Sequence, residues 1–66
     1  MIVFINEKEI SVFKGATLAD AVLTYSKENF MKLRDGSLGI FDRFGFLTES
    51  DGPAIEDQHY FLKELK

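Results

Sequence analysis

The sequence contains no cysteine, which excludes a disulfide framework, a thiolate nucleophile and any Cys-ligated metal site. Histidine occurs once, at His59. The side chain that titrates nearest neutral pH is therefore present without the second imidazole of a His-based metal site, and a structural or surface role is expected for it rather than a metal or general-base role. Long apolar runs are missing as well. The opening MIVFINEKEI turns charged after Asn6 and has no basic leader region, and no stretch approaches the roughly 18–20 apolar residues of a spanning helix. A cytoplasmic protein without membrane association is the expectation. Basic charge is scarce: the formal net charge is −3, and Asp35, Asp42, Glu49, Asp51, Glu56 and Asp57 face only Arg34 and Arg43 in their part of the chain. Nucleic acid needs a basic footprint that displaces counterions, so it is not expected as a partner, and the acids read as a solvated rim. ESDG at 49–52 lacks the alternating oxygen ligands and distant Glu of a calcium loop. Ser11, Ser26, Ser37 and Ser50 sit in no nucleophile motif, and no Gly-rich loop cradles phosphate. Neither a cofactor nor an independent enzymatic activity is expected.

At 66 residues the chain is long enough for one domain, residues 1–66, which buries only about 60% of the surface its unfolded chain exposes. Little is left for a deep pocket, so a function exercised at the surface is favoured. Seven Phe and two Tyr, each able to remove roughly 150–250 Å² from water, are expected to supply the core.

The apolar run Ile2–Ile5, the break NEKE and the alternating Ile10–Phe13 predict a hairpin. A type I′ turn prefers Asn-Gly, and Glu7 stands where that glycine would be, so it either accepts a positive φ or forces another loop. Gly15 can swing the chain out of the strand, and Thr17 is placed to cap a helix with Asp20 reaching back to it. Leu18, Ala21, Val22 and Tyr25 then form one apolar stripe at helical spacing, away from Ala19, Asp20 and Thr24. SKENFMKLRDG reads either as a loose extension with a short second turn or as an irregular connector, and the connector is favoured; Phe30 and Leu33 are its apolar contacts and Gly36 its stop. Leu38–Phe41 and Phe46–Thr48 around DRFG suit a second hairpin through a type I turn. ESDGP is punctuation, its Pro53 unable to donate to a ladder, and His59–Leu65 is a final strand.

The resulting order, β-β-α-β-β-β, predicts an α+β domain with a mixed sheet of four to five strands and one main helix packed on one face. The order resembles the β-grasp, or ubiquitin-like, fold. Within it, INEKE, GATLADAV and the late acidic turn in IEDQHYFL resemble the small sulfur-carrier family of the ThiS and MoaD type over nearly the whole chain. That family works through a C-terminal Gly-Gly, which a partner adenylates before a sulfur donor makes the thiocarboxylate. Here the sequence reads FLKELK, with Lys63, Glu64, Leu65 and Lys66 where a narrow adenylation tunnel would admit glycines, and Gln58 stands where the family's turn glycine is expected.

The resemblance implies docking of an activating enzyme by the sheet face that the helix leaves open, near the last strand. Phe4, Phe41 and Phe61 are expected in the core. Strand alternation forbids burying Phe13, Phe44 and Phe46 on the same side with them, so these three are the candidate partner-binding residues. The leading reading is a non-catalytic, protein-binding member of the sulfur-carrier family, its partner an adenylating enzyme or another protein. The alternatives are a genuine carrier for thiamine or molybdopterin biosynthesis whose tail is completed elsewhere, and a TGS-like regulatory module.

Overall fold

In the computed structural model, which describes residues 1–65, the first two strands, β1 (Ile2–Ile5) and β2 (Lys8–Ser11), pair antiparallel with Ile5 opposite Lys8. That register leaves a two-residue turn, and Glu7 resolves the conflict noted above by accepting a φ of 68° beside Asn6 at 51°. Left-handed geometry at both positions is what a tight hairpin with native twist requires. Asn6 also holds the turn onto the sheet: its backbone N–H donates to the Tyr60 carbonyl, its Oδ1 accepts from the Leu62 N–H, and its Nδ2 donates to the Tyr25 hydroxyl.

The chain then leaves β2 through Gly15, at φ 90°, and enters α1 (Leu18–Tyr25). Thr17 Oγ1 accepts from the Asp20 N–H at 3.1 Å, and Asp20 Oδ2 accepts from the Thr17 N–H at 2.9 Å, a reciprocal cap. The Leu18 and Ala19 amides donate to the carbonyls of Gly52 and Ser50. The acidic 49–52 turn is thus a lid on the start of α1, and it satisfies amides that would otherwise be orphaned.

A second helix, α2 (Lys27–Arg34), occupies the stretch expected to be an irregular connector. Ser26 makes it possible by serving both ends: in extended geometry it terminates α1, and its Oγ accepts from the Asn29 N–H to cap α2. At the far end Ser37 N–H reaches the Lys32 carbonyl and Gly36 N–H the Leu33 carbonyl, with Gly36 at φ 86°. That pattern is a Schellman stop, which needs a residue free of the left-handed Cβ penalty.

Strands β3 (Leu38–Asp42) and β4 (His59–Glu64) complete a four-stranded mixed sheet of order β2-β1-β4-β3. β4 runs parallel to β1 and antiparallel to β3. The DRFG turn closes with Gly45 N–H on the Asp42 carbonyl, and Asp42 Oδ1 accepts from the amides of Phe44 and Phe46. The expected strand at Phe46–Thr48 reduces to a single bridge, Phe41 to Leu47, with Thr48 N–H and Oγ1 both on the Ile40 carbonyl. Asp42 draws the returning chain into the turn, and the chain then departs toward α1. The coarse prediction, α+β with a four-stranded mixed sheet, stands; the single helix becomes two.

The core is aliphatic rather than aromatic. Val3, Ile5, Ile10, Val12, Ala16, Leu18, Ala21, Val22, Ile40, Ala54 and Tyr60 bury against one another between the helices and one sheet face, with Tyr25, Phe30, Leu33 and Leu62 packed against them. None of the seven Phe is a buried core residue. The expectation that Phe4, Phe41 and Phe61 serve the core is corrected. Period-two alternation gives the helix side to Val3 and Ile5 on β1, Tyr60 and Leu62 on β4, and Leu38 and Ile40 on β3, which turns these three Phe to the opposite face, half-buried.

Candidate functional site

The face turned away from the helices is built by register. Phe4 lies opposite His59, and their rings stack with centroids 4.4 Å apart and planes 7° from parallel. His59 Nδ1 is 3.4 Å from Glu7 Oε1, so the Asn-Glu turn places a carboxylate beside the stack. Two residues on, Phe61 faces Phe41, and Phe41 in turn faces Leu47 across the isolated bridge. Lys63 folds back until its Nζ is 5.3 Å from the Phe41 ring centroid. A band of aromatic and apolar side chains therefore crosses the sheet from β1 to the hairpin that follows β3.

Gly39 fixes how tightly that band closes. A Cβ there would lie 3.0 Å from Leu47 Cδ1, 3.0 Å from Leu65 Cδ2 and 3.2 Å from Phe41 Cε1. Leu47 and Leu65 thus converge over the backbone of β3 so closely that a Cβ there would oblige their side-chain tips to give way. Both leucines still present much of their surface to water, at 61% and 49% exposure. Leu65 is held there by its own N–H, which donates to the Ser37 carbonyl.

Phe13, Phe44 and Phe46 are all exposed, at 66%, 72% and 69%, but they do not form one site. Phe44 and Phe46 lie in the hairpin at the β3 edge, beside Leu47 in sequence, with the Arg43 guanidinium carbon 5.0 Å from the Phe44 ring centroid. Phe13 follows β2 at the opposite edge, with β1 and β4 between; three strand spacings put the edges about 14 Å apart. Sequence reasoning missed Leu47 and Leu65, and the signal that could have found them is Gly39, an unexplained glycine inside a strand pattern.

The remaining chemistry is sparse. Among the described residues there is no cavity, and no group of three or more His, Asp or Glu is placed to hold a metal ion. No helix is long and apolar enough to cross a membrane. His59 pairs with a single carboxylate and stacks on Phe4, as a surface residue does. The late acidic turn closes with Gln58 N–H on the Ile55 carbonyl, and its left-handed residue is Asp57, at φ 65°. What the arrangement can do is contact: a flat, partly aromatic surface bordered by exposed side chains. No family model matches the chain, and neither curated proteins nor solved structures provide a match.

Proposed function

We propose that the protein is a non-catalytic binding module of the β-grasp kind, docking a protein partner through the open sheet face and the adjoining β3 hairpin. The strand order β2-β1-β4-β3, with a parallel central pair and antiparallel flanks, supports the β-grasp reading, as does the confinement of the core to one face. Shared ancestry with the sulfur carriers rests on INEKE, GATLADAV and the late acidic turn, and an adenylating enzyme is the partner class that this ancestry suggests. β4 is tied to β3 as far as Leu65, so a reactive tail of the carrier type would have to begin beyond that residue.

The observation that carries the reading is the partition of apolar side chains. Phe44 and Phe46 alone, about 70% exposed, offer together roughly 200–350 Å² of aromatic surface. A standard interface buries about 800 Å² per partner, so these two residues with Leu47 and Leu65 could form its apolar centre. The largest apolar patch on a monomer is often its functional one, which supports placing the interface here.

The test compares wild type with the double variant Phe44→Ser, Phe46→Ser as immobilised baits in extract of the source cells, with captured proteins quantified by mass spectrometry. Both positions are exposed, so unfolding free energy should change by no more than about 0.5 kcal/mol per site. Capture of a specific partner should fall roughly tenfold or more, equivalent to at least about 1.4 kcal/mol. A folded double variant that captures the same set at the same yield rules the docking face out.

A further inference from the structure

We infer that the β3 side of the open face receives a protein segment in which apolar anchor side chains are flanked by Asp or Glu carboxylates. The inference rests on the docking role proposed above and deepens it by naming the chemistry of the partner. It starts from an imbalance of charge: the chain carries a formal net charge of −3, yet the cations that border the apolar band on this side are Lys63 and Arg43. Neither makes an ion pair among the described residues. Each lies instead by an aromatic ring of the band, Lys63 by Phe41 and Arg43 by Phe44. A cation held against a ring keeps its charge available while its stem covers apolar surface.

The acids of the same elements are turned to other work. Asp42 Oδ1 accepts from the amides of Phe44 and Phe46 inside the turn. Glu64 belongs to the helix side of β4, where its carboxylate is 3.9 Å from Lys32 Nζ. Glu49 lies outside these strands; it opens the turn that caps α1, where its backbone carbonyl accepts from the Gly52 N–H. The patch is therefore apolar with a positive border on an acidic protein, and an incoming carboxylate would find two cations without displacing an existing pair. Complementarity of this kind selects among partners more than it adds affinity.

The mode of approach is also constrained. The Ile40–Asp42 end of the outer edge of β3 is occupied by the returning chain, since Asp42 N–H donates to the Phe46 carbonyl and Thr48 N–H to the Ile40 carbonyl. An added strand is blocked over that stretch, which favours a segment that lies across the face and is read by side chains. An anionic membrane would present the same charge, but polybasic lipid-binding segments carry about 4–8 clustered Lys or Arg. Among the described residues this border shows two, Arg43 and Lys63.

The experiment selects a random dodecapeptide library, displayed on phage, against the immobilised full chain, and then measures the consensus peptide in solution against wild type and variants. Enriched peptides should combine Leu, Ile, Val or aromatic residues with an excess of Asp and Glu over the input library. Affinity should fall roughly tenfold or more in the variant Arg43→Glu, Lys63→Glu, by a smaller factor in Arg43→Gln, Lys63→Gln, and with rising salt. Amide NMR spectra check that each variant is folded; the Gln pair keeps the test decisive if the Glu pair disturbs the hairpin. Apolar peptides without acidic bias, unaffected by the charge changes but lost with Phe44→Ser, Phe46→Ser, would overturn this inference while leaving the docking face in place. Peptides indifferent to the Phe substitutions, or no enrichment at all, would overturn both. Flotation of the wild type with phosphatidylglycerol vesicles, abolished by the Arg43 and Lys63 changes, would overturn it in favour of a lipid surface.

Discussion

Replacing Glu7 by Gly should make this protein more stable, although it deletes a side chain and one of the few charge contacts. Glu7 holds a φ of 68°, where the Cβ of an L-residue crowds its own carbonyl at a cost of about 1–2 kcal/mol. Asn6, at 51°, is the kind of residue that tolerates this geometry, and its side chain is bonded on both sides. Glu7 has no such compensation. Against the relief must be set the extra freedom glycine gives the unfolded chain, about 0.5–1 kcal/mol. The contact of His59 Nδ1 with Glu7 Oε1 is also lost, but the Glu7 side chain is 68% exposed, and surface pairs contribute a median of about 0–1 kcal/mol. With the pair term near the bottom of that range at this exposure, the balance is a gain of roughly 0.5–1 kcal/mol. At about 4–8 °C per kcal/mol for a domain of this size, Tm rises by roughly 2–8 °C, measured by far-UV circular dichroism, with a matching shift of the urea midpoint. Glu7→Ala is the control: it removes the carboxylate but keeps the Cβ, so it should leave stability unchanged or slightly lower. If Glu7→Gly is no more stable than Glu7→Ala, the two-residue left-handed turn is wrong.

Thr17→Ala should cost about 0.5–2 kcal/mol, because the Asp20 amide loses its acceptor, and Thr17→Ser should restore most of it; equal urea midpoints for wild type and the Ala variant would show that Thr17 caps nothing. Val22→Ala, at a fully buried α1 position, is expected to cost on the order of 1–3 kcal/mol from lost transfer energy and residual cavity, and a change below about 0.5 kcal/mol in the same assay would refute the packing of α1 on the sheet. Gly39→Ala would push a methyl against Leu47 and Leu65, shifting their methyl resonances as these exposed side chains turn aside; unchanged resonances would mean that those leucines do not cover β3.

The elements that local chemistry specifies were legible before any coordinates. Thr17 with Asp20 marks the start of α1, Gly36 marks a stop, and DRFG marks a turn, because each signal is complete within a few residues. α2 was not legible for an equally physical reason. Its stretch KENFMKLR offers the core only Phe30 and Leu33, while Met31 lies exposed, so there is too little apolar period for a pattern to register. The helix is held instead by its ends, the Ser26 cap and the Schellman stop. The faces of the sheet were hidden in a different way: Ile2–Ile5 is apolar throughout, and period two cannot say which side is the core when both sides are apolar. Nor can spacing along the chain reveal that Phe13 and Phe44 stand on opposite edges. The sheet order decides that, through the long return of β4 between β1 and β3.

The division of apolar residues by type is where fold and function meet. On the helix side, branched chains such as Val3, Ile5, Val22 and Ile40 fill most of the layer, and Tyr60 is its one buried ring among the described residues. A two-layer domain of this length has one core face only; Phe30 packs against it from α2, and the other Phe residues are left to the open face, the hairpin and the loop after β2. Had they served stability, the economical place for Phe44 and Phe46 would be under a helix, since an exposed Phe contributes nothing to burial. Their exposure beside Arg43, on a hairpin that folds back over one end of β3 through a single bridge, fits a surface that shortens the free edge of the sheet while remaining open to a partner that lies across its face.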